Sequence, residues 1–240
     1  MLESLLPTNQ MTQPPDLAAI FLFDPATNTD LINNNASVTT SGATIDSAYL
    51  IDSHPTVKLT ATTNYLLISI PTPIELDVGD WTVEWSCRAT SFQADKYDGE
   101  FTGLTTTSKN FAVRWTDTGY GRLLQTIIGG VVSAATYWRI QPVKENVAGA
   151  LRRMAIVCKG GIITIFKDGN PQQITNWDDA GNASKRVTQA NFPKEAGVGR
   201  LSSIRLGYVG TNNPAAPSNL GRIRISNYAR YIGAYTPAPF

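Results

Sequence analysis

Clustered charge, long apolar runs and a leader-like start are all missing from this chain. Only 16% of its 240 residues are charged, with 20 Lys and Arg against 19 Asp and Glu, and no run of Lys and Arg is longer than two residues. Binding to nucleic acid or anionic lipid depends on clustered positive charge, so both kinds of partner are disfavoured. No apolar run could cross a bilayer, and the N-terminus lacks the basic start of a secretory signal. We therefore expect a protein made in the cytoplasm.

Cysteine and histidine are also scarce, which limits metal and catalytic chemistry. Cys87 and Cys158 each lie in an apolar alternating segment, a pattern that predicts reduced thiols in a core rather than a disulfide or a metal site. His54 is the only histidine, so no zinc site with two imidazoles can form. We expect His54 to lie in a loop before Pro55, and we predict no bound metal or cofactor.

Helical periodicity is rare, whereas the alternation typical of β-strands is common. The segments with some helical character, residues 16–23 and 143–151, are short and flanked by Pro or Gly. Alternation predicts ten strands, at residues 65–70, 81–88, 111–115, 123–128, 136–140, 153–159, 162–167, 172–175, 204–208 and 221–226. Because turns rich in Gly, Pro and Asn separate these strands, we predict an all-β protein with an antiparallel β-sandwich or jelly roll.

Turn residues predict how some of these strands connect. Gly160 and Gly161 tolerate positive φ and predict a hairpin between the strands on either side, and Asp168 with Gly169 predicts a second tight turn. The strand predicted at residues 65–70 is expected to end at Pro71. The polar segment 177–195 is interpreted as a long exposed loop.

Two strands alternate so clearly that each is predicted to have one buried and one wet face. Glu84 lies on the polar face of segment 81–88, and Arg224 lies on the polar face of the closing segment 221–226. Aromatic residues then follow at high density, namely Tyr228, Tyr231, Tyr235 and Phe240. Because such a tail would expose large apolar areas if it were free, we expect it to pack on the preceding domain.

Four stretches, in this order, resemble a known family. They are Tyr-Leu-x-Ile with Asp-x-Gly-Asp-Trp-Thr-Val-Glu-Trp, Arg-Met-Ala-Ile-Val with Ile-Thr-Ile-Phe-x-Asp-Gly, Ile-Arg-Leu-Gly, and Gly-Arg-Ile-Arg-Ile-Ser with Ala-Arg-Tyr. The chain resembles the concanavalin A-like, laminin-G-like jelly rolls of tailed-bacteriophage virion proteins. The resemblance covers about residues 65–240; Leu151 stands where the family usually has Trp. It implies two antiparallel sheets in one domain, residues 21–240, after an extended N-terminal arm, residues 1–20.

The resemblance implies a non-enzymatic structural protein of the virion. We expect a capsid decoration or cement protein whose arm docks on other virion proteins through Leu2, Leu5, Leu6 and Met11, with self-association. The alternative is a glycan-binding module of a tail fibre or receptor-binding protein, with a host-surface glycan as partner. Aromatic rings that stack on sugars would then be needed, and Trp177 beside Asp178 and Asp179, together with Tyr120, is the candidate set.

Acidic residues at two further places could support catalysis or calcium binding. Glu75 and Asp77 alternate as the carboxylates of a retaining glycosidase would, but Gly79 breaks the pattern, so we predict no enzyme. Calcium could be held by Asn28, Asp30 and Asn33, or by Asp178, Asp179 and Asn182; neither set has the spacing of a calcium loop. Both sets are interpreted as Asx-rich turns that bond to their own backbone.

Overall fold

In the residues that the computed structural model describes, every regular secondary-structure element is a β-strand. The described residues are 19–33, 36–61, 63–76, 79–89, 99–103, 111–116, 123–128, 137–140, 151–172, 174–177, 183–187, 189–191, 200–207 and 218–240. The strands are β1 (Ala19–Asp24), β2 (Thr29–Asp30), β3 (Ser37–Ser41), β4 (Thr44–Ile51), β5 (His54–Leu59), β6 (Tyr65–Glu75), β7 (Trp81–Ala89), β8 (Gly99–Gly103), β9 (Phe111–Thr116), β10 (Leu123–Ile128), β11 (Tyr137–Ile140), β12 (Arg152–Lys159), β13 (Ile162–Lys167), β14 (Asn170–Pro171), β15 (Ile174–Trp177), β16 (Ala183–Val187), β17 (Ala190–Asn191), β18 (Arg200–Gly207) and β19 (Ser218–Ser226). No helix that could span a bilayer occurs in this described part of the chain.

The strands form antiparallel sheets arranged as a sandwich, as predicted. The large sheet has the order β14-β13-β12-β7-β19-β1-β2, with β5 and β4 added beside β19, and a smaller sheet has the order β3-β6-β18-β8. Apolar side chains from both sheets, among them Trp85 of β7 and Ile204 of β18, form one core cluster. Both cysteines are buried reduced thiols, which confirms that prediction. A third sheet has the order β16-β15-β11-β10-β9.

Strand β19 is the centre of the large sheet because two strands share one of its edges. Its first residues pair with β5, its last residues pair with β1, and β7 pairs along the other edge with a register shift at Gly221 and Arg222. Arg222 leaves the ladder there and binds Asp24, with 2.7 Å between Nη2 and Oδ2. Because β1 replaces β5 as the partner of β19, the β4–β5 hairpin pairs with β19 only from Val57 to Leu59. The rest of the hairpin, toward its turn, forms no backbone ladder with β19.

The hairpin between β12 and β13 agrees with the turn prediction. Gly160 and Gly161 have φ of 57° and 78°, and the following turn places Asp168 and Gly169 at 49° and 78°. These left-handed conformations are those for which Gly and Asp are suited. The register pairs Met154 with Lys167 and continues without interruption to the turn.

Strand β6 does not end at Pro71, so that prediction is wrong. It continues to Glu75, and β18 pairs with it before and after the two prolines. The register of β18 shifts between Leu201 and Ser203, so the segment with Pro71 and Pro73 bulges away from the ladder. A proline has no N–H to donate, and a bulge is where that loss costs least.

Three other segments differ from their sequence interpretation. Residues 19–24 form β1 between β19 and β2, although their apolar spacing also fitted a helix; residues 143–150 lie outside the described residues. The segment 177–195 is not one long loop, because β16 pairs with β15 and β17 pairs with β13. His54 is the first residue of β5 and pairs with Ile51, rather than lying in a loop.

The largest correction concerns the polar faces of β7 and β19, which are buried and not exposed to solvent as predicted. Glu84 is 3% exposed and Arg224 is 1% exposed. Residues 227–240, which we call the C-terminal strap, run over this outer face of the large sheet. Phe240 is buried and its ring lies 4.2 Å from the guanidinium carbon of Arg224. The aromatic tail packs on the domain as predicted, and it seals the outside of the sheet rather than the interior of the sandwich.

Candidate functional site

The strap covers only part of the outer face, and the other part, at the beginning of β19, carries a row of polar residues. Asn219 pairs with Lys58 of β5 on one side and with Arg88 of β7 on the other. The next residue along, Leu220, belongs to the core cluster, so Asn219 points to the outside. The row therefore lies on the same face as Glu84 and Arg224, beyond the reach of the strap's buried rings.

A pocket of about 420 Å³ lies over this row. The β4–β5 hairpin forms one wall, and the ends of β7 and β19 form the other. Its lining residues are Asp46, Tyr49, Lys58, Leu59, Thr60, Arg88 and Asn219. The volume is within the range of small-molecule sites, and the lining combines an aromatic ring with hydrogen-bonding and charged groups.

Asp46 is the hub of hydrogen bonds in the pocket. Its Oδ1 accepts from the N–H groups of Ala48 and Tyr49, and its Oδ2 lies 3.3 Å from the Asn219 amide nitrogen and 3.4 Å from Lys58 Nζ. Desolvation alone raises the pKa of Asp46, but these donors and the Lys58 charge together hold it below its ordinary value. The carboxylate is therefore ionised at neutral pH and acts as an acceptor.

Tyr49 and Arg88 form the aromatic side of the pocket. The guanidinium carbon of Arg88 lies 4.5 Å from the centre of the Tyr49 ring, which is a cation–π contact. Tyr49 reaches this position because the register of β4 against β5 shifts between Asp46 and Leu50. A bulge of this kind redirects a side chain out of the regular alternation.

Asn219 fixes the floor of the pocket. Its amide nitrogen donates to Thr56 Oγ1 at 2.8 Å as well as approaching Asp46. Asn219 is 3% exposed and Thr56 is fully buried, so the floor is held rigidly by a buried bond. The arrangement offers a fixed carboxylate, an amide, two cations and an aromatic ring to a small polar ligand.

Of the site residues predicted from sequence, the structure describes only the backbone of Trp177. Trp177 ends β15, where its backbone pairs with Tyr137 of β11 and Ala183 of β16. Tyr120, Asp178 and Asp179 lie outside the described residues, as do Leu2, Leu5, Leu6 and Met11 of the predicted arm. The glycan-binding role of the first set and the docking role of the second remain predictions.

The acidic turn with Asn28, Asp30 and Asn33 bonds to its own chain. Asp30 is buried, and its Oδ1 accepts from the N–H groups of Leu22 and Ile32 while its Oδ2 accepts from the Asn33 amide. These bonds join the turn to β1, which is the role expected of an Asx turn. Within the described residues, no three His, Cys, Asp or Glu side chains are grouped so that they could hold a metal ion.

The sequence reasoning missed the pocket because it missed β4 and β5. Their hairpin turn consists of Asp52 and Ser53, with φ of 53° and 68°, rather than a pair that contains Gly. The one usable signal was the alternation of Val57 and Leu59 around Lys58, a run too short to predict a strand by itself.

Comparisons with known proteins support the fold. No protein-family model matches the chain, and no curated protein matches it in sequence. Solved structures that are similar include the binding domain of botulinum neurotoxin DC in complex with rat synaptotagmin II, at 10% identity and a TM-score of 0.62, covering 89% of this chain and 49% of that one. The binding domain of Paraclostridial Mosquitocidal Protein 1 is similar at 11% identity and a TM-score of 0.58, covering 89% and 50%.

A third similar structure carries the description "Cell entry of botulinum neurotoxin type C is dependent upon interaction with two ganglioside molecules". Its identity is 9% and its TM-score is 0.62, and it covers 89% of this chain and 49% of that chain. This chain thus spans about half the length of the solved structures that it matches. At such identities the likeness establishes a shared β-rich fold.

Proposed function

We propose that this protein is a non-enzymatic glycan-binding module and that the pocket between the β4–β5 hairpin and the outer face is its binding site. The observation that carries the proposal is the combination of Tyr49, Asp46 and Asn219 in one polar pocket. Sugars present an apolar C–H face to aromatic rings and a rim of hydroxyls to carboxylates and amides.

The similar structures support this choice among the functions considered. They are binding domains, and the descriptions of some name gangliosides, synaptotagmin II or SialylT as ligands or partners. Their folds match this chain over 89% of its length. A fold does not determine a ligand, so the pocket residues rather than the likeness carry the argument.

The concanavalin A-like, laminin-G-like classification and the virion of a tailed phage belong to the same proposal. A receptor-binding module of a tail fibre would carry out glycan binding in that setting, at the surface of the virion. The capsid-decoration role depends on docking through residues 1–20. Neither the comparisons nor the described residues add support to that role, so we place the glycan-binding role first.

The test is binding of the purified chain to an array of sialylated, neutral and bacterial-surface glycans. Tyr49→Ala is expected to weaken binding about tenfold or more, because loss of one aromatic stack costs roughly 1.4 kcal/mol. Tyr65→Ala is the matched control, since Tyr65 forms the same kind of contact with Arg205, at 4.2 Å, outside the pocket.

Three outcomes are decisive. Loss of binding in Tyr49→Ala with full binding in Tyr65→Ala supports the pocket. Loss in Trp177→Ala alone moves the site to the position predicted from sequence and contradicts the pocket. If the unmodified chain retains no glycan of any class, the proposed function is wrong.

A further inference from the structure

The tip of the β4–β5 hairpin lies over the outer face of the large sheet without being part of its ladder. Only the end of β5, from Val57 to Leu59, pairs with β19, and β1 takes over that edge from Ile223 onward. A two-stranded ribbon is marginally stable by itself in water. Side-chain contacts must therefore hold the tip, and with it the wall of the pocket.

One of these contacts is apolar and lies over a glycine. Ile51, the last residue of β4, is 4% exposed and lies over Gly221, at the bulge of β19. A Cβ atom on Gly221 would lie 3.4 Å from three atoms of Ile51, which is van der Waals contact, so the hairpin packs closely on the sheet here. This contact holds the hairpin tip close to the outer face of the large sheet.

The second contact is ionic and crosses two strands. Arg153 of β12 lies beside Ser86 on the outer face, and its Nη2 donates to Oδ1 of Asp52, the first turn residue of the hairpin. The Asp52 side chain is 7% exposed. Asp52 thus depends on Arg153 for charge compensation, because a buried carboxylate without a partner is costly.

Arg153 is also joined to the turn on which the strap docks. Its N–H donates to Asp168 Oδ1 at 2.8 Å, and its carbonyl accepts from the Asp168 N–H at 2.7 Å. The next residue, Gly169, accepts from the Tyr235 N–H of the strap at 2.9 Å. A Cβ atom on Gly169 would collide with the carbonyl group of Tyr235, so only glycine permits this docking.

We propose that Arg153 is a positioning residue of the pocket, which joins the β4–β5 hairpin to the C-terminal strap through the turn at Asp168 and Gly169. Displacement of the strap then loosens the hairpin wall that carries Asp46 and Tyr49. The proposal that the wall serves glycan binding rests on the proposed function above. The mechanical link does not, because it follows from contacts within the chain.

The link is tested without glycan, by hydrogen exchange followed by mass spectrometry on the full chain. Gly169→Ala should dislodge the strap and speed exchange about tenfold or more in peptides covering both residues 227–240 and residues 44–59. Gly160→Ala is the matched control, since Gly160 also has a positive φ, of 57°, in a neighbouring turn, but has open space around its Cβ position. Peptides from β6 provide the internal reference.

Arg153→Gln is expected to speed exchange in residues 44–59 by a similar factor while β6 keeps its rate. Lys159→Gln, an exposed residue of the same strand, should change neither region. Arg153→Lys keeps the charge and should restore part of the protection. If Gly169→Ala loosens the strap alone, or if Arg153→Gln leaves residues 44–59 protected, the link is wrong.

Glycan binding then separates the two proposals. With a glycan that binds the unmodified chain, Arg153→Gln should weaken affinity and Arg153→Lys should recover part of it, although neither contacts the pocket lining. If no glycan binds while exchange shows the link, the proposed function fails and the positioning role of Arg153 for the hairpin stands. If glycan binds and Arg153→Gln has no effect on affinity, the positioning role for the pocket fails.

Discussion

The outer face of the large sheet carries two clusters with nearly the same chemistry and different surroundings. Under the strap, Glu84 bonds to Arg224, Arg230 and Tyr231. In the open part, Asp46 bonds to Lys58 and Asn219 beside the stacked pair of Arg88 and Tyr49. Each cluster has one carboxylate, two cations and a tyrosine.

The two clusters differ because the strap covers one of them, and not because their residues differ in kind. Arg224 donates to Glu84 from Nε at 2.8 Å and from Nη2 at 3.1 Å, and the Tyr231 hydroxyl donates at 2.5 Å. Tyr231 in turn stacks on Tyr235 with 3.4 Å between ring centres. Glu84 therefore finds its hydrogen-bond donors within the protein, and these bonds hold the strap. In the open cluster, by contrast, the Lys58 side chain is 45% exposed and accessible to a ligand.

The largest difference in stability is expected between Glu84→Ala and Asp46→Ala, which each remove the carboxylate of one cluster. Glu84→Ala leaves Arg224 and Arg230 buried side by side; burial first, and then the charge of Arg224, already lower the pKa of Arg230. We expect the free energy of unfolding in urea to fall by about 3–5 kcal/mol. Asp46→Ala should cost much less, because its ionic partner Lys58 is 45% exposed and can turn to water. Equal losses would contradict the distinction between the clusters.

A rise in pH should destabilise the part of the face that lies under the strap. Burial first, and then Tyr231 and Glu84, raise the pKa of Tyr235 above its ordinary value of 10.0. Since the folded pKa lies above the unfolded one, the stability that the neutral phenol contributes is present below pH 10 and is lost as the pH rises beyond it.

The measurement is the urea midpoint of the unmodified chain and of Tyr235→Phe between pH 8 and pH 11. The unmodified chain should lose on the order of 1 kcal/mol more than the variant over the last pH unit. Parallel curves for the two proteins would show that the strap does not hold Tyr235 in its neutral form.

The smallest effect is expected from Lys58→Ala in the open cluster. Its ion pair with Asp46 spans 3.4 Å with the lysine largely in water, so we expect a change of at most about 0.5 kcal/mol in the free energy of unfolding. A calorimetric melting curve of the variant checks this. A loss comparable to that of Glu84→Ala would mean that the open cluster is structural as well.

Local features predicted much of the strand framework. Segment 123–128 was placed at its observed bounds as β10, and the glycine pairs predicted the β12–β13 hairpin and the turn after it. These elements depend on alternation and on left-handed turn residues, which neighbouring residues specify. The burial of Cys87 and Cys158 in a core was predicted in the same way.

The site could not be predicted in this way. Asp46 and Asn219 are 173 residues apart, and Asp52 and Arg153 are 101 residues apart. Neither pair has a local pattern, because the contacts arise only when β5 joins β19 and the hairpin tip crosses to β12. The polar face of β19 was interpreted as wet for the same reason, since alternation shows that two faces differ but not what covers them.

The sequence by itself determined that this chain forms alternating strands with glycine turns and ends in an aromatic segment that must be buried. Only the tertiary structure decided where that segment lies. Tyr231 reaches Glu84 across 147 residues, and this contact makes one half of a polar face dry and leaves the other half open as a pocket. The physical reason is that the cost of burying charge depends on partners brought together by the fold, and these have no fixed spacing along the chain.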